Sequence, residues 1–184
     1  MACLTFDSSQ RWGLLILGIV LSGCASLSET ECRTADWGRL GQQDGANGYA
    51  ESRLADHAEA CNKIGILPNA TAWRAGWDQG VQSYCTPAVG WREGLAGRGY
   101  NGVCRTRGNE AGFLQAYNAG SEIHRMQNRI EQNSSELRRL ENQLRSAPND
   151  EARRRLRDQM RHLDREQSRL RSQLGLMQLS APRY

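Results

Sequence analysis

Four acids stand beside tryptophan or glycine: Asp36 before Trp37, Asp44 before Gly45, Asp78 after Trp77 and Glu93 before Gly94. Two carboxylates facing each other across a cleft can cleave a glycosidic bond, one as acid and the other as base or nucleophile. The simpler expectation is structural, because Asp before Trp caps a helix and Asp before Gly forms a turn. The chain has no GxSxG, Walker loop or HExxH segment. Its three histidines, His57, His124 and His162, are scattered, and their spacings assemble no Ser–His–Asp or Cys–His arrangement. His57 and Cys61 have helical spacing, but no CxxC pair accompanies them as a zinc site requires. Gly97-x-Gly99-x-x-Gly102 spells a dinucleotide fingerprint without the preceding strand and following helix that give it function. These residues point to a non-enzymatic protein with no catalytic residues, no metal and no cofactor. A hydrolase of envelope polymers with paired acids is one alternative. The other is a glycan-binding module, for peptidoglycan above all, that stacks sugars on Trp73, Trp77 and Trp91. Large rings in a small domain more often form its core.

Leu21-Ser22-Gly23-Cys24 follows the apolar run Leu14-Leu15-Ile16-Leu17-Gly18-Ile19-Val20, and so stands where a secretory signal peptide is cut. The run falls short of the ~20 residues a membrane span requires. The tetrapeptide resembles the lipobox of bacterial lipoproteins. The resemblance implies that residues 1–23 are a signal peptide and that Cys24 is acylated to become the first mature residue. Ala25, in place of Asp, resembles an outer-membrane address. The expected place is the cell envelope, lipid-anchored, at the outer membrane facing the periplasm. In that oxidising compartment Cys32, Cys61, Cys85 and Cys104 form an even set of disulfide candidates. Three pairings are possible. Cys85–Cys104 is favoured because the intervening stretch is rich in glycine, and Cys32–Cys61 follows by elimination. That second bridge requires the chain to turn near Asp44-Gly45-Ala46-Asn47-Gly48, since a straight helix from Asp36 to Ala60 would be about 38 Å long.

Composition divides the chain near Gly120. From Cys24 to Ala119 there are nine basic and ten acidic side chains, whereas Gly120 to Tyr184 holds fourteen Arg, no Lys and nine acids. Ile123, Met126, Ile130, Asn133, Leu137, Leu140 and Leu144 recur in steps of three and four, as do Leu156, Met160, Leu163, Gln167, Leu170, Leu174 and Met177. Pro148 separates the two seams and Asn149 can cap the second helix. The pattern predicts an antiparallel helical hairpin folded about Ala147–Asn149, placing Ile130 by Gln167 and Leu140 by Leu156. Its charge is interspersed with acids, as on a solvated face, and nucleic acid is not an expected partner. The dense Arg153-Arg154-Arg155-x-Arg157 leaves room for anionic lipid head groups or an acidic partner.

In the first half, Asn69 can cap a helix from Ala70 to Tyr84, and Glu110 to Tyr117 reads as a further short helix. An aromatic-x-x-Gly unit recurs at Trp73, Trp77, Trp91 and Tyr117, which implies close helix contact where a Cβ would clash. The fold class is mainly α, a small disulfide-stapled, Gly/Trp-rich helical domain followed by a long antiparallel coiled-coil hairpin. The expected organisation is a signal peptide over 1–23, a lipidated linker over 24–35, the stapled domain over 36–120, the hairpin over 121–178 and a tail over 179–184. The expected partners are the membrane through the N-terminal lipid, and a protein or second copy through the hairpin.

Asp36-Trp37, Gly41-x-x-Asp44-Gly45-x-x-Gly48, Cys61 and Gly65-Ile66-x-Pro68 occur in order before Trp73-x-x-Gly76-x-x-x-Gly80-x-x-x-Tyr84-Cys85-Thr86-Pro87. Gly90-x-x-x-Gly94-x-x-Gly97-x-x-Tyr100, Gly102-Val103-Cys104 and Phe113-Leu114-x-Ala116-Tyr117-x-x-Gly120 complete the series. Together they resemble the uncharacterised proteobacterial lipoproteins grouped as domain of unknown function 2799. Asn69 stands where that pattern has Asp, and Trp73 where Tyr is commoner. The resemblance implies an exported lipoprotein domain and carries no activity with it.

Overall fold

A computed structural model describes residues 26–105, 109–179 and 181. The expected signal peptide and Cys24 lie outside the described residues, as does most of the expected tail. The described chain is mainly helical: α1 (Glu29–Thr34), α2 (Trp37–Ala46), α3 (Arg53–Asn62), α4 (Ala70–Tyr84), α5 (Pro87–Leu95), α6 (Glu110–Arg145) and α7 (Asp150–Leu179). No described helix is long and apolar enough to cross a membrane.

Local sequence explains where these helices begin. The Asp36, Asn69, Thr86 and Asn109 side chains each accept a backbone N–H at the third helical position of α2, α4, α5 and α6, satisfying a donor the helix cannot pair itself. Pro87 opens α5, where its missing N–H costs nothing. Asn149 accepts from the Ala152 N–H at the start of α7. The chain breaks after Ala46, as the Cys32–Cys61 bridge requires, with Gly48 at φ +73°.

Packing is dominated by two helix pairs, α2 with α4 and α5 with α6. Both are glycine contacts. A methyl group on Gly41 would overlap the Trp73 carbonyl, and one on Gly45 would meet the backbone at Trp77 and Val81. Reciprocally, Gly76 and Gly80 lie on the backbone of α2 at Gly38 and Gln42. The second pair repeats the plan. Gly90 and Gly94 lie on the Phe113 and Tyr117 carbonyls, and Gly120 lies on α5 at Trp91 and Leu95. Even the exits correspond, with Gly48 against the Tyr84 ring and Gly97 against the His124 ring, both at positive φ. The contact expected of the aromatic-x-x-Gly units is thus a duplicated helix pair, and α3 is inserted only in the first copy.

Bridges of 5.5 Å between Cα atoms at Cys32–Cys61 and 5.4 Å at Cys85–Cys104 tie α1 to α3 and the end of α4 to the loop before α6. Trp73, Val81, Cys104 and Phe113 form the fully buried centre of the core. The Tyr84 and Tyr100 rings pack tilted against Phe113, at ring-centroid distances of 5.2 and 4.8 Å.

The short helix expected over Glu110 to Tyr117 is instead the first part of α6, which continues unbroken to Arg145. Gly120 does not end it, because that glycine is buried against α5. α6 and α7 pack together, with Asn133, Leu140, Ala147 and Gln167 buried between them. The Gln167 side-chain amide donates to the Ile130 carbonyl at 3.3 Å and to the Ser134 hydroxyl at 2.6 Å, and Arg129 pairs with Glu166 at 3.1 Å.

Candidate functional site at the N-terminal entry

Asp44 lies on α2 and turns inward rather than forming a turn before Gly45. Its side chain is 8 % exposed. Its Oδ2 accepts from the Trp73 indole N–H at 2.9 Å and lies 2.9 Å from the His57 Nε2 on α3. The His57 Nδ1 is in turn 2.9 Å from the Ser26 hydroxyl, and His57 itself is 1 % exposed. A Ser–His–Asp chain therefore exists. It joins residues 31 and 13 positions apart, separations that no local motif signals. The Trp37 ring lies 6.5 Å from the imidazole and Trp73 lies at the same distance edge-on.

This arrangement is a buried clasp. A buried carboxylate needs every available donor, and Asp44 receives them from His57 and Trp73. The imidazole bridges the carboxylate to Ser26, near the beginning of the described chain. Four residues beyond His57, Cys61 bonds to Cys32 on α1. The entering chain is thus fastened to α3 twice, once by hydrogen bonds and once covalently. Ser28 adds a capping box at the start of α1, where its backbone N–H and hydroxyl hold the Glu31 carboxyl below its ordinary pKa.

Glu93 takes the corresponding place in the second helix pair, before Gly94. Arg98 grips it with two bonds, Nε at 2.5 Å and Nη2 at 2.8 Å. Those bonds, with Arg98's charge and the smaller contribution of Arg92, hold the Glu93 carboxyl below the usual glutamate range against its burial. Burial, and next the nearby Glu93 charge, push the Tyr84 hydroxyl up to about 12.

Of the remaining candidates, Asp36 caps α2 and Asp78 is half-buried on α4. The four acids are therefore distributed over separate structural positions. Trp73 is fully buried and Trp77 only 5 % exposed, with its indole N–H donating to the Tyr49 carbonyl at 2.8 Å. Neither ring therefore offers an open face, and Trp91 is half-buried. Cys61 is committed to its disulfide, and among the described residues no three His, Cys, Asp or Glu side chains gather as a metal site. Gly97 and Gly102 lie in the loop after α5, which is stapled by Cys104, and no described strand precedes them.

No curated protein and no solved structure matches the chain. Residues 36–122, which hold the glycine contacts of both helix pairs together with Asp44, His57 and Glu93, match the family described as protein of unknown function (DUF2799).

Proposed function

We propose that the chain is a lipid-anchored envelope protein without catalytic activity, in which a disulfide-stapled head presents an antiparallel coiled-coil hairpin to a partner. The head corresponds to residues 36–120 and the hairpin to 121–178, with Cys24 carrying the lipid at the outer membrane, facing the periplasm. The observation that carries this reading is the continuity of α6. Its first turns are locked against α5 through Gly120, and the same helix runs on to Arg145, about 54 Å in all at 1.5 Å per residue. A hairpin growing from such a root is held at a fixed angle to the head. The clasp at Ser26, two residues after Cys24, keeps the anchored end close to the head as well.

The acids favour this reading over a hydrolase, because Asp36, Asp44 and Glu93 each hold a structural partner. Burial of Trp73 and Trp77 disfavours a sugar platform. The test is photo-crosslinking in cells from the exposed α6 positions Gln132, Ser135 and Glu141, with Ser83 and Ala88 on the head as controls. A discrete adduct from the α6 positions alone is expected. Adducts from the head but none from α6 would contradict the proposal.

A further inference from the structure

We propose that the outer face of α7 docks on the anionic phospholipid leaflet that holds the anchor, so that the hairpin lies along the membrane surface. The inference rests on the anchored reading above and names what the outer face of α7 touches. At 100° per residue, Arg154, Arg157, Arg161, Arg165 and Arg169 fall within about 60° of one line along α7, with Ser168 and Ser172 beside them. All seven are exposed. Leu156, Leu163, Gln167 and Leu174 occupy the opposite side, where Gln167 meets α6. The arginine row is about 22 Å long.

Its charge is uncompensated. Arg161 pairs with Asp158, but Arg154, Arg157, Arg165 and Arg169 have no carboxylate partner among the described residues. Elsewhere on the hairpin the arginines are largely neutralised. Arg125, Arg138 and Arg139 pair with glutamates of α6, Arg129 pairs with Glu166, and Arg153 and Arg155 pair with Asp150 and Glu151. Most of the described hairpin arginines without a carboxylate partner thus share one face, Arg145 on α6 and Arg171 lying off it. Every cation there is a guanidinium, whose flat fork matches two phosphate oxygens at once.

The same line continues into Leu176 and Leu179, which are 69 % and 86 % exposed. Leucines in the last turn of a cationic helix suit the boundary between head groups and acyl chains. A protein interface normally places its apolar residues centrally and its charges at the rim. Here the leucines stand at one end, beyond the arginines, which favours a lipid surface over an acidic protein. Each arginine near an anionic leaflet strengthens association roughly fivefold.

The test reconstitutes the native lipoprotein, carrying Ser172→Cys with a nitroxide, into phosphatidylcholine vesicles with or without 30 % phosphatidylglycerol. Broadening of the nitroxide signal by nickel chelated to lipid head groups is the readout. Strong broadening is expected only with phosphatidylglycerol, and about 1 M salt should reverse it because the screening length falls to ~3 Å. Replacing Arg154, Arg157, Arg165 and Arg169 by Gln should abolish it, whereas replacing Arg125, Arg138, Arg139 and Arg145 should not. Circular dichroism establishes that both variants remain helical, and salt reversal of the wild type tests the row without any substitution. No broadening in anionic vesicles, equal broadening in both vesicles, or insensitivity to the α7 substitutions would overturn the proposal, as would in-cell crosslinks from Ser172 to a protein in place of lipid. Failure of the anchored reading is distinct, since the protein would then not float with phosphatidylcholine vesicles at all.

Discussion

Asp44 and Glu93 are equivalent residues held in different ways. Each precedes the second glycine of a helix–helix contact, Gly45 or Gly94, and each is buried. In the first pair the inserted α3 brings His57 to the carboxylate; in the second, Arg98 reaches back from the following loop. One duplicated plan thus yields a sealed polar clasp at the N-terminal entry and a half-exposed ion pair elsewhere.

The clasp makes a strong demand on His57. His57→Leu leaves the Asp44 carboxylate with the Trp73 indole as the one remaining of its two side-chain partners, and losing a hydrogen bond to a buried charged group costs about 1.5–3 kcal/mol. Ser26→Ala removes a single peripheral bond and should cost about 1 kcal/mol. Urea unfolding of both variants measures the ratio; equal effects would show that Ser26 and His57 do not form such a hierarchy.

Glycine substitutions should divide sharply by position. Gly45→Ala and Gly120→Ala push a methyl group into the backbone of the facing helix, and overpacking of this kind costs about 1–3 kcal/mol or more. A methyl group on Gly99 meets nothing within 4 Å, so Gly99→Ala should change stability by less than about 0.5 kcal/mol. Thermal denaturation of the three variants is the check.

How much of this was legible in the sequence follows from the range of each signal. Caps act within three residues, so Asn69 marked the start of α4 and Asn149 that of α7 correctly. The seam arithmetic likewise placed Ile130 beside Gln167. The aromatic-x-x-Gly units announced close contact but not its partner, because a helix–helix contact has no fixed sequence separation. For that reason the correspondence of Gly41 and Gly45 with Gly90 and Gly94 emerged only from the packing. The short helix read over Glu110 to Tyr117 missed the continuation of α6, since a buried glycine such as Gly120 can continue a helix when its neighbour needs the space. The Ser26–His57–Asp44 chain was equally invisible, as it depends on where α3 folds back.

Acid should weaken the second helix pair. Arg98 depresses the Glu93 pKa in the folded state, so the resulting stabilisation is present above the unfolded glutamate pKa, near 4.3, and is lost as pH falls through the folded value. Glu93→Gln should flatten that part of the stability–pH curve between about pH 5 and pH 2. Retention of the full wild-type slope would show that the Arg98 pair contributes nothing.

Alkali should act through Tyr84. Its hydroxyl titrates at about 12 in the fold against 10 in the open chain, so stability is undiminished below pH 10 and declines as pH rises towards 12. The loss is up to roughly 2–3 kcal/mol. Tyr84→Phe should remove this alkaline decline, which denaturant titration at pH 9 and pH 11 would reveal.

The chemical state of the chain that enters the clasp decides whether the protein is an anchored envelope lipoprotein. Intact-mass analysis of the protein extracted from native membranes should give a polypeptide starting at Cys24, heavier by its acyl groups, with Cys32–Cys61 and Cys85–Cys104 oxidised. A species beginning at Met1 with no lipid and four titratable thiols at those positions would contradict it.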